Sequence, residues 1–231
     1  MSDDVTRRSV EAVFRIEAPR LIGALARLTR DVGRAEDLAQ DALVAALEQW
    51  PRDGIPGNPA AWLMAAAKNR AVDRFRRDAL ERRVHESIGP REEPRAGSGA
   101  MDMALDDDLG DDLLRLMFVA CHPAVPPDGR VALTLRVLGG LTTAEIARAF
   151  LAPEATIAQR IVRAKRTLAE KRVPFEVPRG EERAARLASV LETIYLIFNE
   201  GYAASSGHEW MRPELAEEAL RLGRVLAGLA P

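Results

Sequence analysis

The sequence has little of what secreted and membrane-spanning proteins need. Its single cysteine, Cys121, cannot form a disulfide within the chain, which favours a reduced, cytoplasmic location. Residues 1–8 are polar and are not followed by the apolar segment of a signal peptide. No apolar run approaches the roughly 20 residues that cross a bilayer. We therefore expect no membrane partner beyond peripheral contact.

Aromatic residues and strand-forming runs are also scarce. Aromatic residues make up 5% of the chain, whereas hydrophobic residues make up 47%, with alanine and leucine the main contributors. Alanine and leucine favour helices, and the β-branched and aromatic runs that favour strands are few. The composition therefore predicts an all-α fold, and a length of 231 residues allows one or two domains.

The charge is small overall but strongly segregated. The formal net charge is −2, yet residues 62–83 hold seven basic and three acidic side chains, and residues 158–172 hold six basic and one acidic. Acidic residues concentrate between these segments, at Glu92, Glu93, Asp102, Asp106, Asp107, Asp108, Asp111 and Asp112. Two basic segments on either side of an acidic one are typical of a protein that binds nucleic acid at two places.

Apolar periodicity and helix-breaking residues divide the chain. We predict helices over residues 9–50, with Pro19 starting a second helix, and a loop over residues 51–59, where three prolines and two glycines occur. Asn58 and Pro59 are expected to cap and open the next helix, which runs to about Arg83. Later breaks are predicted at residues 123, 126–127, 139–140 and 153, and two further helices at 181–198 and 213–229 with a loop at 199–212. The predicted domains are 9–84 and 111–173, with a linker at 85–110 and a tail at 174–231.

Residues 140–166 have the pattern of a helix-turn-helix. Thr142 or Thr143 can cap a short helix with Glu145 in its first turn, and Glu154 is expected to cap the second helix. Five apolar residues can pack inward, namely Ile146, Phe150, Ile157, Ile161 and Leu168. The side chains left for a DNA major groove are Thr156, Gln159, Arg160, Arg163, Lys165 and Arg166. An ordinary helical hairpin with a solvated basic face is the alternative interpretation.

The helix that begins near Pro59 combines cations with an amide behind a Gly/Pro loop. Its candidate DNA contacts are Lys68, Asn69, Arg70, Arg74, Arg76 and Arg77. Such a combination suits single-stranded DNA, because cations follow phosphates while amides bind unstacked bases. Trp62 and Phe75 lie on the apolar stripe of this helix, so we expect them in the core rather than beneath bases.

The order of these features resembles a known family. Residues 35–43 read AEDLAQDAL and residues 62–73 read WLMAAAKNRAVD, and an acidic linker and the helix-turn-helix follow. Over roughly residues 9–173 this order resembles the extracytoplasmic-function (ECF) group of RNA polymerase sigma factors, which give core polymerase its promoter specificity. The resemblance implies two helical DNA-binding domains, sigma regions 2 and 4, and promoter DNA as a partner.

The resemblance also implies roles for particular residues. Asp37, Gln40 and Asp41 would dock on the coiled coil of the polymerase β′ subunit, and the β flap is a further polymerase partner. The loop at 51–61, with Lys68, Asn69 and Arg70, would handle the unpaired minus-ten element. Residues 156–166 would read the duplex minus-thirty-five element.

The tail departs from the minimal two-domain family. Residues 198–202 and the loop around Trp210 resemble the start of the helical C-terminal extension of one ECF subgroup, whose repeats continue well beyond this length. The natural chain is therefore expected to continue past Pro231. Two interpretations stay open: a regulatory extension that packs across both DNA-binding domains, or a packing appendage of the second domain.

Other functional classes have weaker support. Cys121 and His122 are neighbours on the chain and cannot easily form a nucleophile and base pair. The acidic run at 106–112 lacks the glycine and terminal glutamate positions of a calcium loop, and the histidines lack metal-ligand spacing. We therefore predict no catalytic residue, cofactor or metal. A stand-alone helix-turn-helix regulator remains the competing function, although it gives Asp37, Gln40, Asp41 and Asn69 no role.

Overall fold

The structure is a computed structural model that describes residues 3–85, 109–203 and 213–229. Its helices are α1 (Asp3–Thr29), α2 (Val32–Asp53), α3 (Pro59–His85), α4 (Leu109–Ala120), α5 (Pro127–Val137), α6 (Thr143–Ala149), α7 (Glu154–Glu170), α8 (Gly180–Ala203) and α9 (Pro213–Leu229). Within the described residues there is no β-strand, so the all-α prediction is confirmed. None of the described helices is long and apolar enough to cross a membrane.

The first three helices form one packed unit. A tight corner joins α1 to α2, where the Asp31 side chain accepts a hydrogen bond from the Arg34 amide at 3.0 Å. α3 packs against both helices. Asn58 caps α3 as predicted, because its side chain accepts a hydrogen bond from the Ala61 amide at 3.1 Å. This unit presents the basic side of α3 to solvent.

Two predicted boundaries in this unit are wrong. α1 passes straight through Pro19 instead of restarting there. Proline leaves the carbonyl four residues earlier without its helical partner, and here the Arg15 carbonyl lies against Gly140, where a Cβ atom would come within 3.0 Å of it. α2 likewise continues past Pro51 and ends at Asp53, followed by the cap residue Gly54, whose φ of 84° suits glycine. The loop is therefore residues 54–58.

Helices α4 to α7 form a second unit that contains the predicted helix-turn-helix. Thr142 and Glu145 make a reciprocal capping box at the start of α6. The predicted inward residues pack as expected: Ile146, Ile157, Ile161 and Leu168 are buried, and Phe150 is half-buried against the core. The predicted cap at Glu154 is wrong, because Pro153 holds the cap position and Glu154 is already in the helix.

The tail packs on this second unit. α8 contacts α4 and α5, and α9 contacts α8 and α4. α8 continues through Gly201 to Ala203, so the predicted loop at 199–212 begins too early. Gly201 is buried within this helix, although glycine itself disfavours helical conformation. The Tyr202 side chain and Trp210 lie outside the described residues. These contacts favour the appendage interpretation of the tail.

The two units also touch each other. α1 packs along α4, and α2 meets α7. α3 ends at His85 and α4 begins at Leu109, so helices enter both ends of the predicted linker. Residues 86–108, which hold most of the acidic run, lie outside the described residues. The described structure therefore brings the two candidate DNA-binding units into direct contact.

Candidate nucleic-acid interface

The outer side of α3 carries the first candidate surface. Leu63, Ala67 and Ala71 are buried and recur every fourth residue, which turns the opposite side of the helix outward. Asn69 and Arg76 are exposed there, Arg74 is exposed three residues after Ala71, and Lys68 and Arg70 are half-buried. The structure therefore gathers these five predicted contacts on one helix. The side chains of Phe75 and Arg77 lie outside the described part.

The Trp62 ring packs against the rest of the protein and is not an exposed surface on which a base could stack. Its ring meets the ring of Trp50 edge to face, with centroids 5.3 Å apart and planes at 71°. Trp50 is 2% exposed, and Trp62 is half-buried against the same core. Such aromatic pairs stabilise a fold beyond the area they bury. The expectation that Trp62 packs in the core is consistent with this geometry.

The second candidate surface is one side of α7. Ile157, Ile161, Ala164 and Leu168 face the core. The opposite side presents Gln159, Arg163 and Arg166 to solvent, with Thr156 and Arg160 partly exposed beside them. Arg160 contacts Asp128 of α5 at 3.0 Å, and Arg166 contacts Glu170 one turn later at 2.6 Å. Exposed ion pairs of this kind are weak, so phosphates can replace the carboxylates.

Lys165 lies apart from the other predicted DNA-contacting residues of α7. It lies two positions from Arg163, which places it on nearly the other side of α7. Its ammonium group pairs with Glu36 of α2, and its side chain is 21% exposed. Arg136 of α5 contacts the same carboxylate at 2.6 Å. Lys165 therefore joins the two units in this structure, whereas its predicted neighbours face solvent.

The predicted polymerase-docking residues share one side of α2. Asp37 is exposed, and Gln40 and Asp41 are partly exposed one turn further on. Val44 follows on the same side and is 48% exposed. Sequence reasoning missed Val44 because a valine on a helix is ordinarily a core residue, and no periodic signal marks an exposed one. An apolar side chain bordered by carboxylates is suited to a protein partner.

Glu145 links the capping box of α6 to the first unit. Burial alone would raise the pKa of its carboxyl. Hydrogen bonds from the Thr142 amide and hydroxyl and the charge of Arg15 instead hold that pKa below its ordinary value. Arg15 belongs to α1 and forms an ion pair with Glu145. The turn before the helix-turn-helix is thus fixed both by its own cap and by the neighbouring unit.

The neighbours Cys121 and His122 lack the geometry of a catalytic pair. The Cys121 sulfur lies 3.4 Å from the Thr134 hydroxyl, and burial raises the pKa of the thiol. His122 Nδ1 accepts a hydrogen bond from the Ala124 amide, and burial lowers the pKa of the imidazole to about 4. A thiol with a raised pKa is a poor nucleophile. Both side chains are explained by packing.

Two buried arginines hold α8 on the second unit. Arg130, 5% exposed, donates to the Ser189 hydroxyl and contacts Glu192 at 2.9 Å. Arg186, also 5% exposed, donates to the Phe118 carbonyl at 3.0 Å. The sequence did not predict a structural role for either arginine, because an arginine outside a basic cluster is ordinarily solvated. Their burial makes α8 part of the second unit.

Protein-family models match segments of the chain that follow the order of the two units and the tail. Sigma-70 region 2 matches residues 13–81, and Sigma-70, region 4, matches residues 115–168. A family of unknown function (DUF6596) matches residues 186–231, which include most of the tail. The first two matches coincide with the units that carry the α3 and α7 surfaces.

Curated relatives give a consistent result. The uncharacterized protein R00370 of Rhizobium meliloti is 43% identical over 218 residues, which cover 92% of this chain and 50% of that protein. The ECF RNA polymerase sigma factor SigK of Mycobacterium ulcerans is 34% identical over 158 residues, which cover 64% of this chain and 78% of the relative. SigK of Mycobacterium tuberculosis has the same identity and coverage. The chain thus spans half the length of the Rhizobium protein. No solved structure matches it.

Proposed function

The chain belongs to the ECF RNA polymerase sigma factors, and we propose from this that it binds core polymerase and directs promoter-specific initiation of transcription. Sigma factors are initiation factors without catalytic activity of their own, so the chemistry of RNA synthesis is left to the polymerase. One observation carries the proposal: regions 2 and 4 occur in family order, and each carries its own exposed basic surface.

The α3 surface is the proposed site for the minus-ten element. Asn69, Arg74 and Arg76 are exposed, and Lys68 and Arg70 border them. Exposed cations on a rigid helix can follow the phosphates of one strand, while the Asn69 amide can pair with the edge of an unstacked base. The loop at residues 54–58 precedes α3 and can hold a displaced base beside it.

The α7 surface is the proposed site for the minus-thirty-five element. Gln159, Arg163 and Arg166 face solvent together, with Thr156 and Arg160 on the same side. Arginine and glutamine side chains can each make paired hydrogen bonds to base edges in the major groove. Lys165 is left out of this surface, because it pairs with Glu36 on the other side of the helix.

The acidic side of α2 is the proposed docking surface for core polymerase. Asp37, Gln40 and Asp41 would meet the coiled coil of the β′ subunit, with Val44 as an apolar contact beside them. Carboxylates on such a surface steer and orient a partner more than they add affinity. The second unit would contact the β flap while α7 holds DNA.

A stand-alone helix-turn-helix regulator explains less of the chain. It uses α6 and α7 but leaves the first unit, which matches region 2 over residues 13–81, without a role. The two functions predict different partners. A sigma factor binds core polymerase without any DNA present, whereas a stand-alone regulator binds operator DNA without polymerase.

Co-elution with core RNA polymerase tests the proposal. Purified protein is mixed with core enzyme without DNA and separated by size. The proposal predicts a complex that migrates with the polymerase and that then binds promoter DNA. Free elution of the protein beside core enzyme, combined with tight binding to duplex DNA, would favour the regulator instead.

A further inference from the structure

A cleft opens where the corner between α1 and α2 meets the C-terminal end of α7. Its volume is about 770 Å³, and small-molecule sites ordinarily measure roughly 300–1,000 Å³. Its lining includes Arg30, Val32, Val119, Leu168, Arg172 and Phe175. We propose that this cleft binds a nucleoside phosphate, with the base on the apolar floor and the phosphates at Arg30 and Arg172. Among the described residues, none of those proposed above to contact DNA or polymerase lines the cleft, so this site is separate from those surfaces.

Two arginines at the rim of the cleft are available to an anion. Arg30 and Arg172 are exposed, and within the part of the chain that the structure describes neither guanidinium has an ion-pair or hydrogen-bond partner. The other two cations of the lining, Arg27 and Lys165, each contact a buried carboxylate. A guanidinium group can donate two parallel hydrogen bonds to a phosphate. The rim therefore has two arginines that can bind phosphate groups.

The backbone at both rim arginines adopts a conformation that favours glycine. Arg30 directly follows α1 with a φ of 53°, and Arg172 lies two residues after the end of α7 with a φ of 48°. Glycine is preferred at such helix ends, because a Cβ atom strains the left-handed region. An arginine one turn earlier would complement the helix dipole without this strain. Strained residues concentrate at ligand sites, so two strained arginines lining one cleft support a binding role.

The inner part of the cleft is apolar and carries an aromatic ring. Val119 and Leu168 are buried beneath it, with 3% and 5% of their surfaces exposed. Val173 and Phe175 also line the cleft and are half-buried, so they keep apolar area in contact with water. Aromatic side chains stack on the bases of nucleotides. A flat base would cover this area, whereas inorganic phosphate would leave it in water.

The third kind of group in the cleft suits a sugar. Glu176 lines the cleft and is exposed, and no ion pair or hydrogen bond of its side chain occurs among the described residues. A carboxylate binds the ribose hydroxyls in dinucleotide sites. A simple inorganic anion would be repelled by Glu176, whereas a nucleoside phosphate would place a hydroxyl there. Base, sugar and phosphates thus each have a chemically matching group in one cleft.

Titration calorimetry of the whole chain with defined probes tests the site. The probes are adenosine diphosphate (ADP), adenosine and inorganic pyrophosphate, each titrated alone. We expect one ADP to bind per chain, and adenosine and pyrophosphate to bind at least about tenfold more weakly, because each fills only part of the cleft. Equal affinity for ADP and pyrophosphate would mean charge attraction alone. Equal affinity for ADP and adenosine would leave the arginines without a role. Either result would overturn the proposal.

Substitutions locate the bound ADP by two routes. Arg30→Gln and Arg172→Gln each remove one rim charge and should raise the dissociation constant for ADP about tenfold or more. Ala169→Trp adds a ring at an exposed position of the lining and should abolish ADP binding by filling the cleft. The matched controls, Arg224→Gln and Ala184→Trp, change exposed residues outside the lining and should leave the affinity unchanged.

The main alternative is that ADP binds to the basic α7 surface. Loss of ADP affinity in Arg163→Gln, with wild-type affinity in Arg30→Gln and Ala169→Trp, would place ADP on that surface and overturn the proposal. Wild-type affinity in every variant would also overturn it. Circular dichroism checks the fold of each variant, and if Ala169→Trp unfolds, the two rim variants decide.

A thermal measurement gives a second readout that does not depend on transcription. ADP should raise the unfolding midpoint of the wild-type chain, because it binds the folded state, and the rise should be smaller in Arg172→Gln at the same ADP concentration. Equal rises in wild type and Arg172→Gln would contradict the site. ADP binding by a chain that does not bind polymerase would support this inference and reject the proposed function, so the two fail separately.

Discussion

Arg70 of α3 and Asp41 of α2 lie 3.8 Å apart, with 39% and 48% of their side chains exposed. This ion pair joins the surface proposed for single-stranded DNA to the surface proposed for polymerase. An exposed pair at this distance adds little stability, generally below about 1 kcal/mol. Either partner is therefore available to a ligand, and the two surfaces can be occupied side by side.

Reversing the charge on the α2 surface should weaken polymerase binding. Asp37→Arg and Asp41→Arg are each expected to raise the dissociation constant for core polymerase several-fold, mainly through slower association. The free energy of unfolding should change by less than about 0.5 kcal/mol, because neither residue is buried. Association kinetics at two salt concentrations measure the effect.

The matched control for this change is Glu181→Arg, an exposed charge reversal on α8. It should leave polymerase binding as it is. Wild-type affinity in both α2 variants would place the docking surface elsewhere on the chain.

Arg163→Ala should weaken binding to duplex upstream DNA. We expect a loss of about 1–3 kcal/mol if the guanidinium reads a base, with relaxed preference at one position of the site. If it meets a phosphate, the loss should be uniform across sequences and the salt dependence should fall by about one charge. Fluorescence anisotropy with specific and scrambled duplexes distinguishes the two cases.

Lys165→Ala is the informative comparison for Arg163→Ala. Lys165 faces Glu36 rather than the exposed side of α7, so its removal should cost no duplex affinity. If the two variants lost duplex affinity equally, Lys165 would be a DNA contact, which would contradict our assignment.

Arg186→Ala should destabilise the second unit. The change leaves the Phe118 carbonyl without its donor in a buried position, at an expected cost of about 2–3 kcal/mol. Arg179→Ala removes an exposed arginine just before α8 and should cost less than about 0.5 kcal/mol. Urea unfolding of both variants measures the difference. Equal stability would make α8 a loosely attached segment.

His122 should make stability depend on pH between 6.5 and 4. The imidazole pKa is lowered from 6.5 to about 4, chiefly by burial and then by the charge of Arg186. The unfolded chain therefore binds this proton first, so the stabilisation is complete above pH 6.5 and is lost as the pH falls towards 4. Because the ring is partly solvated, water screens its charge, and we expect the free energy of unfolding to fall by about 1–2 kcal/mol.

The comparison for the pH effect is His122→Asn, whose amide oxygen can accept the Ala124 hydrogen bond without titrating. Relative to the variant, the wild type should lose unfolding free energy as the pH falls through this window. Parallel pH profiles would show that His122 does not cause the dependence.

Local patterns in the sequence predicted much of the helix-turn-helix and the cap of α3. The Thr142 and Glu145 capping box and the buried Ile157 and Ile161 depend on neighbours within a few residues, which a sequence displays directly. Where α1 continues through Pro19, the Arg15 carbonyl lies against Gly140, which is distant in the chain. Local rules do not contain such a contact.

The same limit applies to the functional surfaces. The exposed cations of α3 and α7 follow from helical spacing, but the position of Lys165 depends on Glu36, which lies in the other unit. The burial of Arg130 and Arg186 likewise depends on α8. Charged residues that pair across the fold have no local signature, so sequence reasoning assigned Lys165 to DNA.

Run-off transcription tests the central claim most directly. Core polymerase is combined with this protein and a library of promoter fragments, and permanganate marks unpaired thymines near the start site. We expect transcripts from a defined subset of fragments with melting around the minus-ten element, and reduced melting with Asn69→Ala despite unchanged duplex binding. Failure of the wild-type protein to start transcription from any fragment, or repression of transcription by a complete holoenzyme, would contradict the account.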